Sequence, residues 1–344
     1  MAVVKLTKSA GTLTIKDRIC RETPGCQKRK KARQTMRFST NSKKFFRLFG
    51  GLLLALLLLL PLGALAQEAD VVNLLEAPDA EYEFAADTDL LTIIYPNIHG
   101  SDCAIMMYQD EVMMVDCSTD DQAPLLVKPV LEFLGITRVH TAFNTHPHDD
   151  HLTGFEFLVP EVTIDRVLVG FPLDYNWVIK RTVSRLGKYN VPFEQVQDGD
   201  VLTLGDGDVY MTVIQRTGGS YTDNDKSATL MVQYGDRRIF MAGDIENRGQ
   251  GGLLNKLPEC GVQADILKFP HHGHAPINED LLALIDPELC IITAHQLPAK
   301  VGFAQMEQMN IPAVSTWYGV LRLRTDGNIW VLDELPGYDA PVNK

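Results

Sequence analysis

From about residue 88 the chain alternates short apolar runs with stretches of helical spacing. Leu91–Tyr95, Ala104–Tyr108 and Glu111–Val115 have the pattern of strands, and the polar Gln109-Asp110 between the last two predicts a hairpin. Ala123–Leu134 carries Leu and Val at helical spacing and leads through Gly135 into a further strand, Arg138–Asn144. Leu152–Val159 reads as the start of a helix, Asp165–Gly170 as a buried strand and Asn176–Lys188 as a helix. Val209–Ile214, Thr229–Tyr234 and Arg238–Met241 follow as successive strands, the last two joined by a Gly235-Asp236 turn. Asp265–Phe269 is another buried strand, and residues 324–330 form a hairpin. This order predicts one α/β domain over residues 88–335, long enough for a single sizeable core, with 336–344 as a tail.

The N-terminal pattern is of a different kind. Arg37, Lys43, Lys44 and Arg47 precede an apolar core from Leu48 to Leu62. Pro61 and Gly63 break that core, and Ala64-Leu65-Ala66 is a small-x-small cleavage site, so residues 36–66 read as an export signal. The competing reading is an uncleaved anchor, because the apolar stretch with its flanks approaches the roughly 17 residues a span needs. Residues 1–35 are too long and too basic for a usual signal n-region, and Met36 is a natural start, so they read as an over-extended gene start. Acidic, Ala-rich residues 67–87 read as a linker.

Charge sharpens the division. Residues 1–66 carry 14 Lys and Arg against 2 Asp and Glu, whereas the remainder carries 18 against 42, a balance of −24. An acidic exported domain repels polyanions at long range and disfavours nucleic acid, whose binding rests on Lys and Arg contacts to phosphate. A small-molecule or cell-envelope substrate fits better. Four cysteines lie beyond the signal: Cys103, Cys117, Cys260 and Cys290. A three-residue loop centred on Asp110 sets Cys103 opposite Cys117, which permits a cross-strand disulfide; free buried thiols are the alternative.

The densest chemistry is Thr145-His-Pro-His-Asp-Asp-His151, with three of the chain's nine histidines in six residues. It sits on a tight loop between a predicted strand and a predicted helix. On extended backbone His146 and His148 point the same way, and Asp150 and His151 begin the turn beyond. Imidazoles mixed with a carboxylate are the donors Zn²⁺ takes in hydrolytic sites. Four donors in one loop suit two ions better than one. A histidine-rich polar loop without a metal is the bland alternative.

His146-x-His148-x-Asp150-His151 after a strand resembles the H-x-H-x-D-H signature of the metallo-β-lactamase fold superfamily. The resemblance implies an αββα four-layer sandwich binding two divalent ions, Zn²⁺ or Mn²⁺. It assigns His146 and His148 to one ion, Asp150, His151 and His272 to the other, and Asp244, at the end of a buried strand after Gly243, to both. Asp150 would also orient the nucleophile, a water whose pKa the metals lower. Asp116, at the end of its strand, resembles the non-ligand Asp that braces the histidine loop; a turn Asp is the other reading. In Pro270-His271-His272-Gly273-His274, His272 is preferred over His271 as the ligand, the other lying near the substrate, and His274 stands where relatives often have Ser.

One element departs from the pattern. Most members carry a His between the second and fourth motifs, yet none lies between His151 and Asp244. That interval holds Asn224-Asp225-Lys226-Ser227, which resembles the N-x-x-S element in the C-terminal domain of the competence DNA-uptake channel branch. Asn224 or Asp225 would supply an oxygen donor, or the first ion keeps an extra water. Phe171–Tyr175 with Trp177 offer aromatic surface for a substrate cleft, although such residues are more often core. Gly249-Gln-Gly-Gly252 lacks the ending of a phosphate-binding loop. The expectation is an exported two-metal hydrolase of phosphoesters or phosphodiesters. The alternatives are a β-lactam or lactone hydrolase, and a secreted metal-dependent binding protein without turnover.

Overall fold

A computed structural model describes residues 82–341, apart from 219, 258–260 and 262, together with the short strands Val3–Val4 and Val72–Leu74. The expected export signal, nearly all of the segment before it, Cys260 and most of the linker lie outside the described residues. Among those described, no helix is long and apolar enough to cross a membrane.

Two sheets carry the domain. The first runs, in spatial order, Phe193–Gln195, Val167–Val169, Thr141–Asn144, Glu111–Cys117, Cys103–Tyr108, Leu91–Tyr95, Leu321–Thr325, Trp330–Glu334 and Val72–Leu74. The second runs Val201–Leu204, Val209–Ile214, Thr229–Tyr234, Arg237–Met241, Ile266–Lys268, Leu289–Ile292, Ala313–Ser315 and Val3–Val4. Side-chain direction alternates along a strand, and here both directions are apolar. Ile93, Met106 and Val115 of the first sheet meet Met211, Ile239, Ile266 and Ile291 of the second in one central core. Their neighbours Ile94, Ile105 and Met114 face outward against Val130, Phe155 and Ile179 of one helical layer. Phe240, Leu267 and Cys290 face outward against Leu253, Leu282 and Phe303 of the other. The layers are therefore helix, sheet, sheet, helix, as expected.

Several elements depart locally from expectation. Arg138–Asn144 is broken at His140: Arg138–Val139 pairs with Thr163–Ile164, while only Thr141–Asn144 enters the main sheet. His140 Nδ1 accepts the Val112 amide at 3.0 Å, a side-chain bond in the place of a ladder bond. The segment Ala123–Leu134 opens as a π-helical turn over Ala123–Val127 before the α-helix Lys128–Phe133. The expected helix Leu152–Val159 is two single turns, Asp149–Leu152 and Phe155–Leu158. Gly154 between them packs directly on the Cys117 carbonyl, where a Cβ has no room.

The hairpin loop holds two residues, not three, since Tyr108 pairs with Glu111. Cys103 still faces Cys117, because a bulge between Cys103 and Ala104 shifts the register, with Asp116 turning to φ 57°. The two thiols are buried and not joined, and burial with Cys117 alongside pushes the Cys103 thiol well up.

Because the Gly154 contact sets the spacing between the histidine loop and the first sheet, Gly154→Ala is expected to cost about 3 kcal/mol or more. Urea unfolding of the two proteins measures it, and an unchanged midpoint would show that the loop yields without penalty.

Candidate metal centre

The histidine loop is positioned from behind by Asp116. Its positive φ aims the carboxylate under the loop, where Oδ1 accepts Asn144 Nδ2 and the Thr145 amide, each at 2.8 Å. Oδ2 accepts Thr145 Oγ1 at 2.7 Å and lies 2.7 Å from His151 Nδ1. A donor on Nδ1 fixes the His151 tautomer and leaves Nε2 to face inward. Thr145 Oγ1 lies 3.1 Å from His146 Nδ1, and His146 Nε2 lies 3.0 Å from His148 Nδ1. Burial, with the charge of His151 beside it, holds His146 well below the usual imidazole range. It is therefore a neutral donor at physiological pH.

The second sheet supplies the opposing half. Asp244 follows Gly243, whose φ of 52° turns the chain so closely past Ser227 that a Cβ would lie 2.9 Å from the serine Cβ. The Asp244 amide donates to Ser227 Oγ at 3.2 Å. Beyond the strand Ile266–Lys268, His271 and His272 both take left-handed backbone, with φ 48° and 51°. The left-handed region is uncommon for residues other than glycine and collects at functional sites. The His271 amide donates to Gly243 O at 3.1 Å, which ties this turn to the one before Asp244.

Asp244 Oδ2 is the point of convergence. His151 Nε2 lies 3.2 Å from it, His272 Nε2 3.3 Å, His146 Nε2 3.8 Å and His271 Nε2 3.9 Å. Asp150 Oδ2 lies 3.5 Å from His272 Nε2 and 4.0 Å from His151 Nε2. The Nε2 atoms of His151 and His272 and Asp244 Oδ1 are buried without a hydrogen-bond partner. Buried polar atoms left unpaired at one point are costly in isolation. Orphaned imidazole and carboxylate donors converging there fit a divalent cation.

The structure thus brings His146, His148, Asp150, His151, Asp244 and His272 together from three distant stretches, with Asp116 behind them. His274 stands beside them, its ring centre 5.5 Å from that of His271 and 5.6 Å from that of His272. Asp225 commits one oxygen to backbone amides, whereas Asn224 Oδ1 is buried without a hydrogen-bond partner. Asp225 Oδ1 accepts the amides of Glu246 at 3.1 Å and Gly249 at 2.8 Å, so that oxygen holds backbone. Asn224 Nδ2 donates to Glu246 Oε1 at 3.1 Å.

Two residues escaped the sequence reading. Asp102 lies within 4.8 Å of the same donor cluster as His151, Asp244 and His272. It stands behind His272 rather than beside the convergent atoms: Oδ1 lies 3.1 Å from His272 Nδ1 and accepts Thr293 Oγ1 at 2.6 Å. Its Oδ2 pairs with the Lys268 ammonium, which also reaches Gly243 O at 3.3 Å and Asp244 Oδ1 at 4.0 Å. A lysine inside an otherwise apolar buried strand was the signal for this pair.

Charge balance follows from these contacts. Burial alone would raise the Asp244 carboxyl, but His151 and His272 outweigh it and hold it well below the usual range. Burial would lower His272, but Asp244 and Asp102 overcome it and push it from 6.5 up to about 10.

A model of the Metallo-beta-lactamase superfamily matches residues 99–295, which include the whole convergent cluster. The chain belongs to this superfamily. Its buried Asp and His donors form a candidate metal-binding site of that fold. ComE operon protein 3 of Bacillus subtilis (strain 168) is 24% identical over 224 residues, 62% of this chain and 28% of that protein. Competence protein ComA of Neisseria gonorrhoeae is 22% identical over 215 residues, again 62% of this chain and 28% of that protein. The chain therefore corresponds to well under half the length of these relatives. Among solved structures it is similar to CmlA, a diiron β-hydroxylase from Streptomyces venezuelae. That match has 14% identity and a TM-score of 0.47, covering 74% of this chain and 55% of the other.

A raised imidazole pKa makes metal uptake proton-coupled. His272 keeps its proton up to about pH 10 in the metal-free protein, so an ion arriving at pH 7 must expel it. Calorimetric titration of metal-depleted protein in buffers of different ionisation enthalpy is expected to show at least one proton released per chain, and binding that weakens as pH falls. The same shift stabilises the metal-free fold fully below pH 6.5 and less as pH rises through about 10. Metal uptake without proton release would contradict the His272 assignment.

Proposed function

We propose that the chain is an exported two-metal hydrolase acting on small phosphoesters or phosphodiesters. The observation that carries the reading is the set of four imidazole nitrogens between 3.2 and 3.9 Å from one buried carboxylate oxygen, Asp244 Oδ2. His146 and His148 would hold one ion, Asp150, His151 and His272 the other, with Asp244 shared. Such a pair, Zn²⁺ or Mn²⁺, would supply a hydroxide nucleophile near neutral pH and polarise the ester under attack. Asp150 would orient the attacking water, its carboxylate kept ionised because His151 and His272 outweigh the effect of burial.

A cleft beside the histidine loop supports the choice of substrate. It measures about 310 Å³ and is walled by Pro147, Phe171, Pro172 and Tyr175, with Lys226 and Asp223 at its polar side. Its size is that of a small-ligand site, largely apolar with a few polar groups. The aromatic insert therefore lines a cavity in part: Phe171 and Tyr175 face it, while Trp177 is exposed with Arg181 stacked on its ring. Asp223 Oδ2 lies 4.0 Å from His148 Nε2, which places the cleft against the histidine loop. The apolar wall suits the alcohol half of an ester and the Lys226 ammonium suits the phosphoryl charge. The acidic exported domain favours such a compact substrate over a nucleic acid.

Purified protein loaded with Zn²⁺ or Mn²⁺ is expected to turn over bis-p-nitrophenyl phosphate or p-nitrophenyl phosphorylcholine. His148→Ala is expected to lower the rate at least about 100-fold, and Tyr175→Ala to raise KM several-fold with little change in kcat. Turnover of nitrocefin or a lactone alone would replace the phosphoester reading, and turnover of nothing would favour a binding protein.

A further inference from the structure

The first ion's expected third imidazole is absent from the interval between His151 and Asp244, and the structure shows what stands near its place. His146 Nε2 and His148 Nδ1 are 3.0 Å apart. Two nitrogens each about 2.0–2.1 Å from one tetrahedral ion would be separated by roughly 3.3 Å, so this pair is set for a single cation. His146 Nε2 approaches Asp244 Oδ2 at 3.8 Å, and His271 Nε2 approaches the same oxygen at 3.9 Å. His151 and His272, with Asp150, are the donors assigned to the other ion in the two-ion reading. His271 is the one imidazole of the four around Asp244 Oδ2 left without an assignment.

We infer that His271 is the third imidazole donor of the ion held by His146 and His148, replacing a histidine missing elsewhere in the chain. The inference rests on the two-ion reading above and adds to it the origin of the first ion's coordination.

The surroundings of His271 are those of a ligand. Its Nδ1 lies 2.9 Å from Glu246 Oε1 without a hydrogen bond between them, so the carboxylate flanks the ring and limits where it can sit. Glu246 is itself fixed, its carboxylate by Asn224 Nδ2 at 3.1 Å and its amide by Asp225 Oδ1 at 3.1 Å. The segment that occupies the missing histidine's interval thus serves the first ion at one remove, by bracing the carboxylate that orients the substitute. The left-handed backbone at both His271 and His272 has a reason in this scheme. It lets two consecutive residues send both rings toward Asp244, which neither helix nor strand geometry permits.

The test is metal stoichiometry, read without turnover. Metal-depleted full-length protein is titrated with Co²⁺, followed by its visible absorption, and with Zn²⁺ by calorimetry. Wild type is expected to bind two equivalents. His271→Asn, chosen because Asn accepts left-handed backbone, is expected to weaken one equivalent at least about tenfold. Its circular dichroism and the other equivalent should not change. In a His148→Ala background His271→Asn should remove nothing further, because both act on the same ion. Glu246→Gln should weaken that same equivalent less than His271→Asn. Two equivalents of unchanged affinity in His271→Asn would overturn the assignment. So would loss, on adding His271→Asn, of the equivalent that survives His148→Ala, because His271 would then serve the other ion. A wild type that binds one equivalent would instead overturn the two-ion reading itself.

Discussion

Everything in this domain serves one carboxylate oxygen, Asp244 Oδ2, held in a buried cage of imidazole nitrogens. Charges this deep are costly unless matched, and the surrounding residues match them. Asp116 faces the outer nitrogen of His151 and Asp102 that of His272, so each imidazole is oriented by a carboxylate behind it. Lys268 adds a fixed positive charge between Asp102 and Asp244. The two sheets contribute opposing halves: Asp102, Asp116 and the histidine loop from the first, Lys268, Asp244 and His272 from the second. Sheet packing and site assembly are therefore a single event.

Much of this was legible in the chain. Strands apolar on both faces, such as Ile93-Ile94 and Ile239-Phe240, announce sheets covered on either side. The histidine loop is contiguous, so its spacing alone carries the family resemblance. What was not legible depends on tertiary register. Asp102 and Lys268 are 166 positions apart, and only the stacking of two sheets makes them partners. The Cys103–Cys117 pairing was anticipated from a loop length that the structure does not have, and arises instead from a bulge. Asp225 carries the right chemistry for a donor but spends Oδ1 on two amides. No local pattern distinguishes a ligand carboxylate from one that ties down backbone.

The cleft has the same composite origin. Phe171 and Pro172 follow a strand of the first sheet, whereas Thr217, Asp223 and Lys226 lie between two strands of the second. Tyr175 OH binds both Asp223 and Lys226, closing one rim across the boundary between the sheets. The candidate ligands lie on the turns that follow the strands, and Pro147 of the histidine loop is itself a wall of the cleft, so cleft and cluster share one framework.

The buried side chain of Lys268 carries a consequence for how the acids around it are matched. The acids of this cage are faced by the imidazoles of His151 and His272 as well as by the lysine. Here the lysine side chain, supplied by the chain itself, lies between two of those acids. The buried carboxylates of the cluster are thus partnered by side chains of the polypeptide itself, drawn from both sheets.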